Sequence, residues 1–288
     1  MKNYLKQGVC SSLSCIFLLT ACEKETVVQP NIDAASGSTT LIFDARYGDA
    51  DFELNKAYDY KFTNTTGQFD FKYEFNQLRY WVSNVRLVNA AGEEFKVPES
   101  YYLIEENVEI PVQDGSFGKK YPANKREQIK IAAIPAGEYT AVKFAIGVDS
   151  KYNDNLTLRA GELSALNGMA FESWMWLTSY KFFVLNGKMT WVKASPEAPA
   201  LQTFFWDFAS NDLYAEKEIK LDKAITINAQ MTTNINLEMD VKKVIDIENP
   251  WSNRLISASQ KELMTQLKNN LLTKAITLKS TTATATTK

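Results

Sequence analysis

Apolar and polar positions alternate along most of the chain. Leu41, Phe43 and Ala45 alternate with Ile42, Asp44 and Arg46, and the same spacing returns at Tyr58, Tyr60 and Phe62 and at Phe69, Phe71, Tyr73 and Phe75. Period two places one side of an extended segment in a core and the other in water, which predicts half-buried strands. Further strands are predicted over residues 78–87, 101–104, 129–134, 139–146, 176–185, 203–208, 218–227 and 235–244. Turn residues punctuate them at Thr66-Gly67, Ala91-Gly92, Pro135-Ala136-Gly137 and Asn186-Gly187, the last reading as a hairpin turn. Residues 159–167 read as a short helix or compact loop. Ser259 and Glu262 fit a capping box, and Leu263, Leu267 and Leu271 then repeat at helical spacing. The pattern predicts an all-β fold: a β-sandwich with long decorated loops and one C-terminal amphipathic helix. With no internal repeat or linker, a single domain is expected over residues 40–279, followed by a disordered Thr-rich tail over 280–288.

The first residues break the pattern. Lys2 and Lys6 precede an apolar run from Val9 to Leu19, too short to be an ordinary spanning helix, which predicts a signal peptide over 1–21. Leu19-Thr20-Ala21-Cys22 resembles the bacterial lipobox, so Cys22 is the expected lipidation site and residues 22–39 a lipidated tether. Anchoring would be to the outer membrane, because Glu23 stands where an inner-membrane retention signal carries Asp. All 3 cysteines lie within the first 22 residues, and acylation of Cys22 leaves the mature chain without a thiol for a disulfide or a Cys-rich metal site.

Composition then removes whole classes of chemistry. The sequence contains 0 histidines, which excludes a Ser-His-Asp triad, a Cys-His pair and any imidazole metal ligand. The formal charge of −2, without a basic run, gives no nucleic-acid footprint. Walker loop, dinucleotide fingerprint and nucleophile elbow are all missing. Glu93-Glu94, Glu105-Glu106 and Glu109 read as solvated strand ends, and no enzymatic activity is expected.

Two segments carry candidate chemistry. Residues 147–155 (GVDSKYNDN) are rich in oxygen ligands, with Asp149, Asn153 and Asp154 as candidates for a hard cation such as Ca²⁺, although Lys151, Asp154 and Ala160 break the EF-hand pattern. The other reading is an Asx-rich turn bonding its own backbone. In the second segment Trp174, Trp176, Thr178, Tyr180 and Phe182 share one strand face. This ladder is core packing, a stacking platform for sugars or cations, or a set of oxidisable rings.

Several separated segments resemble the MbnP-like family, which is related to the copper proteins MopE and CorA. Leu78-Arg79-Tyr80-Trp81-Val82-Ser83-Asn84-Val85-Arg86-Leu87 is similar to its L-x-Y-Y-I-S-N-I-x-L strand. Residues 134–139 (IPAGEY) and Phe144-Ala145-Ile146-Gly147-Val148-Asp149 are similar to I-P-A-G-x-Y and F-x-I-G-V-D, and Trp174-Met175-Trp176 with Tyr180 to W-x-W-x-x-G-Y. The resemblance implies a secreted all-β domain. It also implies a tryptophan, here Trp174 or Trp176, that a dihaem peroxidase-like partner oxidises to kynurenine. In some members kynurenine and histidines bind copper. Without histidine that copper site cannot be built here, and Ser179 replaces the glycine before Tyr180. The expected function is a lipid-anchored, non-enzymatic binding protein, with a carbohydrate-binding surface lipoprotein as the alternative.

Overall fold

A computed structural model describes residues 36–65, 67–112, 118–171, 179–192, 200–257 and 259–285. The main strands are β1 (Ser36–Tyr47), β2 (Ala57–Asn64), β3 (Gly67–Asn89), β4 (Glu94–Lys96), β5 (Tyr101–Asn107), β6 (Asn124–Arg126), β7 (Gln128–Pro135) and β8 (Gly137–Ile146). They continue as β9 (Ala170–Phe171), β10 (Ser179–Val192), β11 (Ala200–Ala209), β12 (Ala215–Ile227), β13 (Met231–Asp240), β14 (Leu255–Ile256) and β15 (Ile276–Ala285). Three α-helices, α1 (Ser150–Asn153), α2 (Val241–Val244) and α3 (Lys261–Asn270), complete the regular structure named here.

Two sheets form a sandwich. The smaller has the order β7-β1-β13-β15, with β1 parallel to β13, and the larger runs β12-β8-β3-β10-β11-β14, with β2, β4 and β5 also paired to β3. Alternation on β3 turns Tyr80 inward, where Phe43 of the smaller sheet meets its ring at 6.1 Å and that of Phe144 at 5.4 Å. Phe43, Tyr80, Phe144 and Phe183 are all buried to 1% exposure or less, so the core lies between the sheets. Glu127 is the corner where the chain leaves β6 of the larger sheet for β7 of the smaller. Its carbonyl accepts from Phe43 N at 2.8 Å and its carboxylate from Ala45 N at 3.1 Å.

The all-β sandwich matches the alternation, and four local expectations need correction. Asn186-Gly187 is no hairpin turn: both lie inside β10, where the register to β3 shifts by a bulge. A Cβ on Gly187 would stand 2.2 Å from the Glu74 carbonyl oxygen, so glycine serves a close backbone approach there. Val241–Val244 is helix α2, started by the Asp240 carboxylate accepting from Lys242 N at 3.0 Å. Helix α3 starts at Lys261 with Gln260 at its N-cap and no side-chain cap bond; in place of a Ser259–Glu262 box, Gln260 Oε1 accepts from Ser257 N at 3.0 Å in the preceding turn. Met264, Leu267 and Leu271 nonetheless face inward, and α3 packs against β11.

The fourth correction concerns the tail. Residues 280–285 were expected to be disordered, yet they continue β15 along β13, from Asn236↔Ser280 to Met231↔Ala285, and Thr281 Oγ1 donates to Asp222 at 2.7 Å. Threonine is a good strand residue, and the low-complexity appearance hid that. At the other end β1 begins at Ser36, inside the expected tether. The signal peptide and Cys22 lie outside the described residues. Among the described residues no helix is long and apolar enough to cross a membrane.

Candidate functional site

The side chains that alternate with Tyr80 on β3, namely Arg79, Trp81 and Ser83, point to the outer face of the larger sheet, and loops cover them. After β8 the chain turns at Gly147, whose φ of +109° and contact with the Phe182 ring, 2.5 Å from where a Cβ would stand, both require glycine. Gly147 N donates to the Trp81 carbonyl at 3.1 Å, and Ser83 Oγ donates to the Gly147 carbonyl at 2.7 Å. This turn delivers Asp149 to the start of α1.

Asp149 Oδ2 accepts from the Tyr101 hydroxyl and from Asn84 Nδ2 at 3.1 Å, and Asn84 Nδ2 also donates to Tyr214 at 2.7 Å. Burial, followed by the bond to the Asp149 carboxylate, holds the Tyr101 phenol well above its ordinary pKa. Asn153 is 2% exposed; its Nδ2 donates to Asn211 at 2.8 Å and its Oδ1 accepts from Tyr180 N at 2.8 Å. Asp154 accepts from Asn211 Nδ2 at 2.8 Å. Asn153 and Asp154 therefore meet at Asn211, whereas Asp149 belongs to the Tyr101–Asn84 group. Their oxygens fasten α1 to β3, β5, β10 and the segment before β12. Among the described residues no group of three or more His, Cys, Asp and Glu is placed to hold a metal ion. A copper centre on imidazole donors does not fit a chain with 0 histidines.

Trp174 and Trp176 lie outside the described residues. Tyr180 is fully buried, and its ring meets that of Trp81 edge to face at 5.8 Å. Burial raises its phenol pKa, and Arg159, which approaches from the loop side, opposes that rise.

One cluster was not foreseen in the sequence. Arg79, with 0% exposure, donates from Nε and Nη2 to Glu105 Oε2 at 2.9 and 2.6 Å, and from Nη2 to the Asn167 carbonyl at 2.7 Å. Glu105 Oε1 accepts from the Tyr121 hydroxyl at 2.6 Å and Asn124 Nδ2 at 2.7 Å. The Tyr121 phenol is pushed up to about 12, first by burial and then by this bond. Glu105 and Glu106 are thus buried, at 3% and 9% exposure, and the reading of that pair as solvated strand ends is corrected. Glu106 pairs with Lys125 at 3.1 Å. Lys125 also lies 3.7 Å from Glu127. A charge inside the apolar β3 run was the available signal, since a buried arginine needs a carboxylate opposite it.

A search of curated proteins finds no match. Among solved structures, MbnP from Methylosinus trichosporium is similar at 14% identity, covering 70% of this chain and 76% of that chain, with a TM-score of 0.40. The MbnP family model matches residues 36–265, from the first residue of β1 into α3, and the chain belongs to the MbnP family.

Proposed function

We propose that this protein is a non-enzymatic binding protein of the MbnP type, lipid-anchored at Cys22 to the outer membrane. Its loop-covered outer sheet face is the binding part. A dihaem peroxidase-like partner oxidises Trp174 or Trp176, and the product serves without histidine-bound copper. The observation that carries the reading is the fixed polar frame of that face: Asp149, Asn153, Asp154 and Glu105 are each hydrogen-bonded to neighbouring elements, an arrangement that holds loops in place.

The test is mass spectrometry of the protein extracted from membranes of its native host. The reading expects an amino-terminal peptide beginning at a diacylated Cys22, and a peptide containing Trp174 and Trp176 that carries the tryptophan-to-kynurenine mass change. An unprocessed amino terminus would remove the anchor. Unmodified Trp174 and Trp176 in cells that express the partner would remove the oxidation step and leave a plain binding protein.

A further inference from the structure

Beneath the loops, three buried donors have no acceptor. Arg79 Nη1, Trp81 Nε1 and the Tyr180 hydroxyl belong to side chains of 0% exposure; the first two have no hydrogen-bond partner, and the Tyr180 hydroxyl, approached by the donor Arg159, has no acceptor for its own hydrogen. Arg79 and Trp81 occupy successive same-face positions of β3, about 7 Å apart by strand geometry, and the Trp81 and Tyr180 rings touch at 5.8 Å. The three form a stripe across β3 and β10. The segment from Asn167 to Ala170 runs over it, tied to Arg79 through the Asn167 carbonyl at 2.7 Å and to β10 through Lys181 N and the Met169 carbonyl at 2.9 Å. Gly168 lies over Arg79, where a Cβ would come within 3.3 Å of Nη1.

The stripe itself is made of donors. Indole and guanidinium nitrogens only donate; Arg79 uses Nε and Nη2 on Glu105 and Asn167 and lies over the Tyr121 ring at 4.8 Å, while Nη1 has no acceptor. Glu105 distributes its charge over Arg79, Tyr121 and Asn124, so it leaves no acceptor for Nη1. Arg159 adds a cation next to the Tyr180 phenol. Native proteins rarely leave one buried donor unsatisfied, so a run of three beside a cation is met by ordered water or by an acceptor from outside the chain. We propose that this stripe binds a small oxyanion of the carboxylate class. The proposal rests on the binding role assigned above to the same face and deepens it by naming the ligand class.

The test uses the ¹⁵N-labelled mature domain, with sodium formate as the probe and sodium chloride at equal ionic strength as the control. Six tryptophans give six indole N–H signals, and the Trp81 signal is the one lost in Trp81→Phe. If that variant does not fold, the signal is assigned from its contacts with the Tyr180 ring. Formate is expected to shift the Trp81 signal saturably while chloride does not, and Tyr180→Phe and Arg159→Gln are each expected to weaken binding at least fivefold. The proposal is overturned if the shift is absent, equals that in chloride, or keeps its affinity in Tyr180→Phe, as it would with ordered water alone on these donors. Lipidation and tryptophan mass are independent of this titration, so failure here leaves the anchored, oxidised protein standing.

Discussion

Replacing Arg79 with methionine removes the cation from a buried pair and leaves its partner in place. Glu105 is 3% exposed and loses both bonds to its Oε2, at 2.9 and 2.6 Å, while the Asn167 carbonyl loses its donor at 2.7 Å. Tyr121 and Asn124 still donate to Oε1, but two neutral donors do not replace a guanidinium. Breaking a buried pair from one side typically costs about 3–5 kcal/mol, because an uncompensated charge remains. Against a typical domain stability of about 5–15 kcal/mol, that is a large share. Urea denaturation at pH 7, followed by tryptophan fluorescence, measures it. The double variant Arg79→Met, Glu105→Leu removes both charges and is expected to recover at least half of the loss, since paired apolar replacements are often neutral. A loss below about 1 kcal/mol in the single variant, the range of exposed pairs, would refute the claim that this pair is desolvated. A double variant no better than the single one would show that packing around Arg79, and not its charge, carries the effect.

Three further outcomes are expected. Gly187→Ala places a methyl 2.2 Å from the Glu74 carbonyl oxygen, and the forced backbone shift should cost about 1–3 kcal/mol in the same denaturation assay. Truncation after Lys279 should remove the exchange protection of those amides of Met231–Asn236 that face β15, spare those facing β1, and lower Tm, whereas a disordered tail would leave all of these unchanged. Glu127 has a pKa raised mainly by burial, with Glu106 and Asp44 adding and Lys125 and the Ala45 N–H opposing. The stability it contributes is therefore fully present below the ordinary glutamate value and lost as pH rises through the raised one. Glu127→Gln keeps an acceptor for Ala45 N and should raise Tm at pH 7, with the difference closing toward pH 4. A difference that grows on acidification would reverse the sign and reject the burial argument.

What the sequence disclosed and what it hid divide along the range of the interactions. Alternation is local, so the strands around Leu41–Ala45 and Tyr139–Ile146 and the sandwich class were legible from side-chain period alone. The Asn186-Gly187 turn misled because the same dipeptide serves a hairpin or a bulge. The difference lies with Glu74, more than a hundred residues earlier in the chain. The tail misled for a related reason: its threonines acquire a partner only when β13 is beside them. At the site, the segment after Gly147 was visible as an oxygen-rich run, but whether its oxygens face a cation or one another depends on Tyr101, Asn84, Asn211 and Tyr180, all distant in sequence.

The 0 histidines acquire a positive meaning at this point. The unpartnered groups of this face include the Arg79 Nη1, Trp81 Nε1 and Tyr180 hydroxyl donors, with the Asn107 Oδ1 acceptor two positions along β5 from Glu105. Along the stripe itself a metal ion would meet N–H and O–H donors, which suit an oxyanion instead. The absence of histidine and the unpartnered donors of the stripe thus point the same way: in this member of the MbnP family the covered stripe suits an anion.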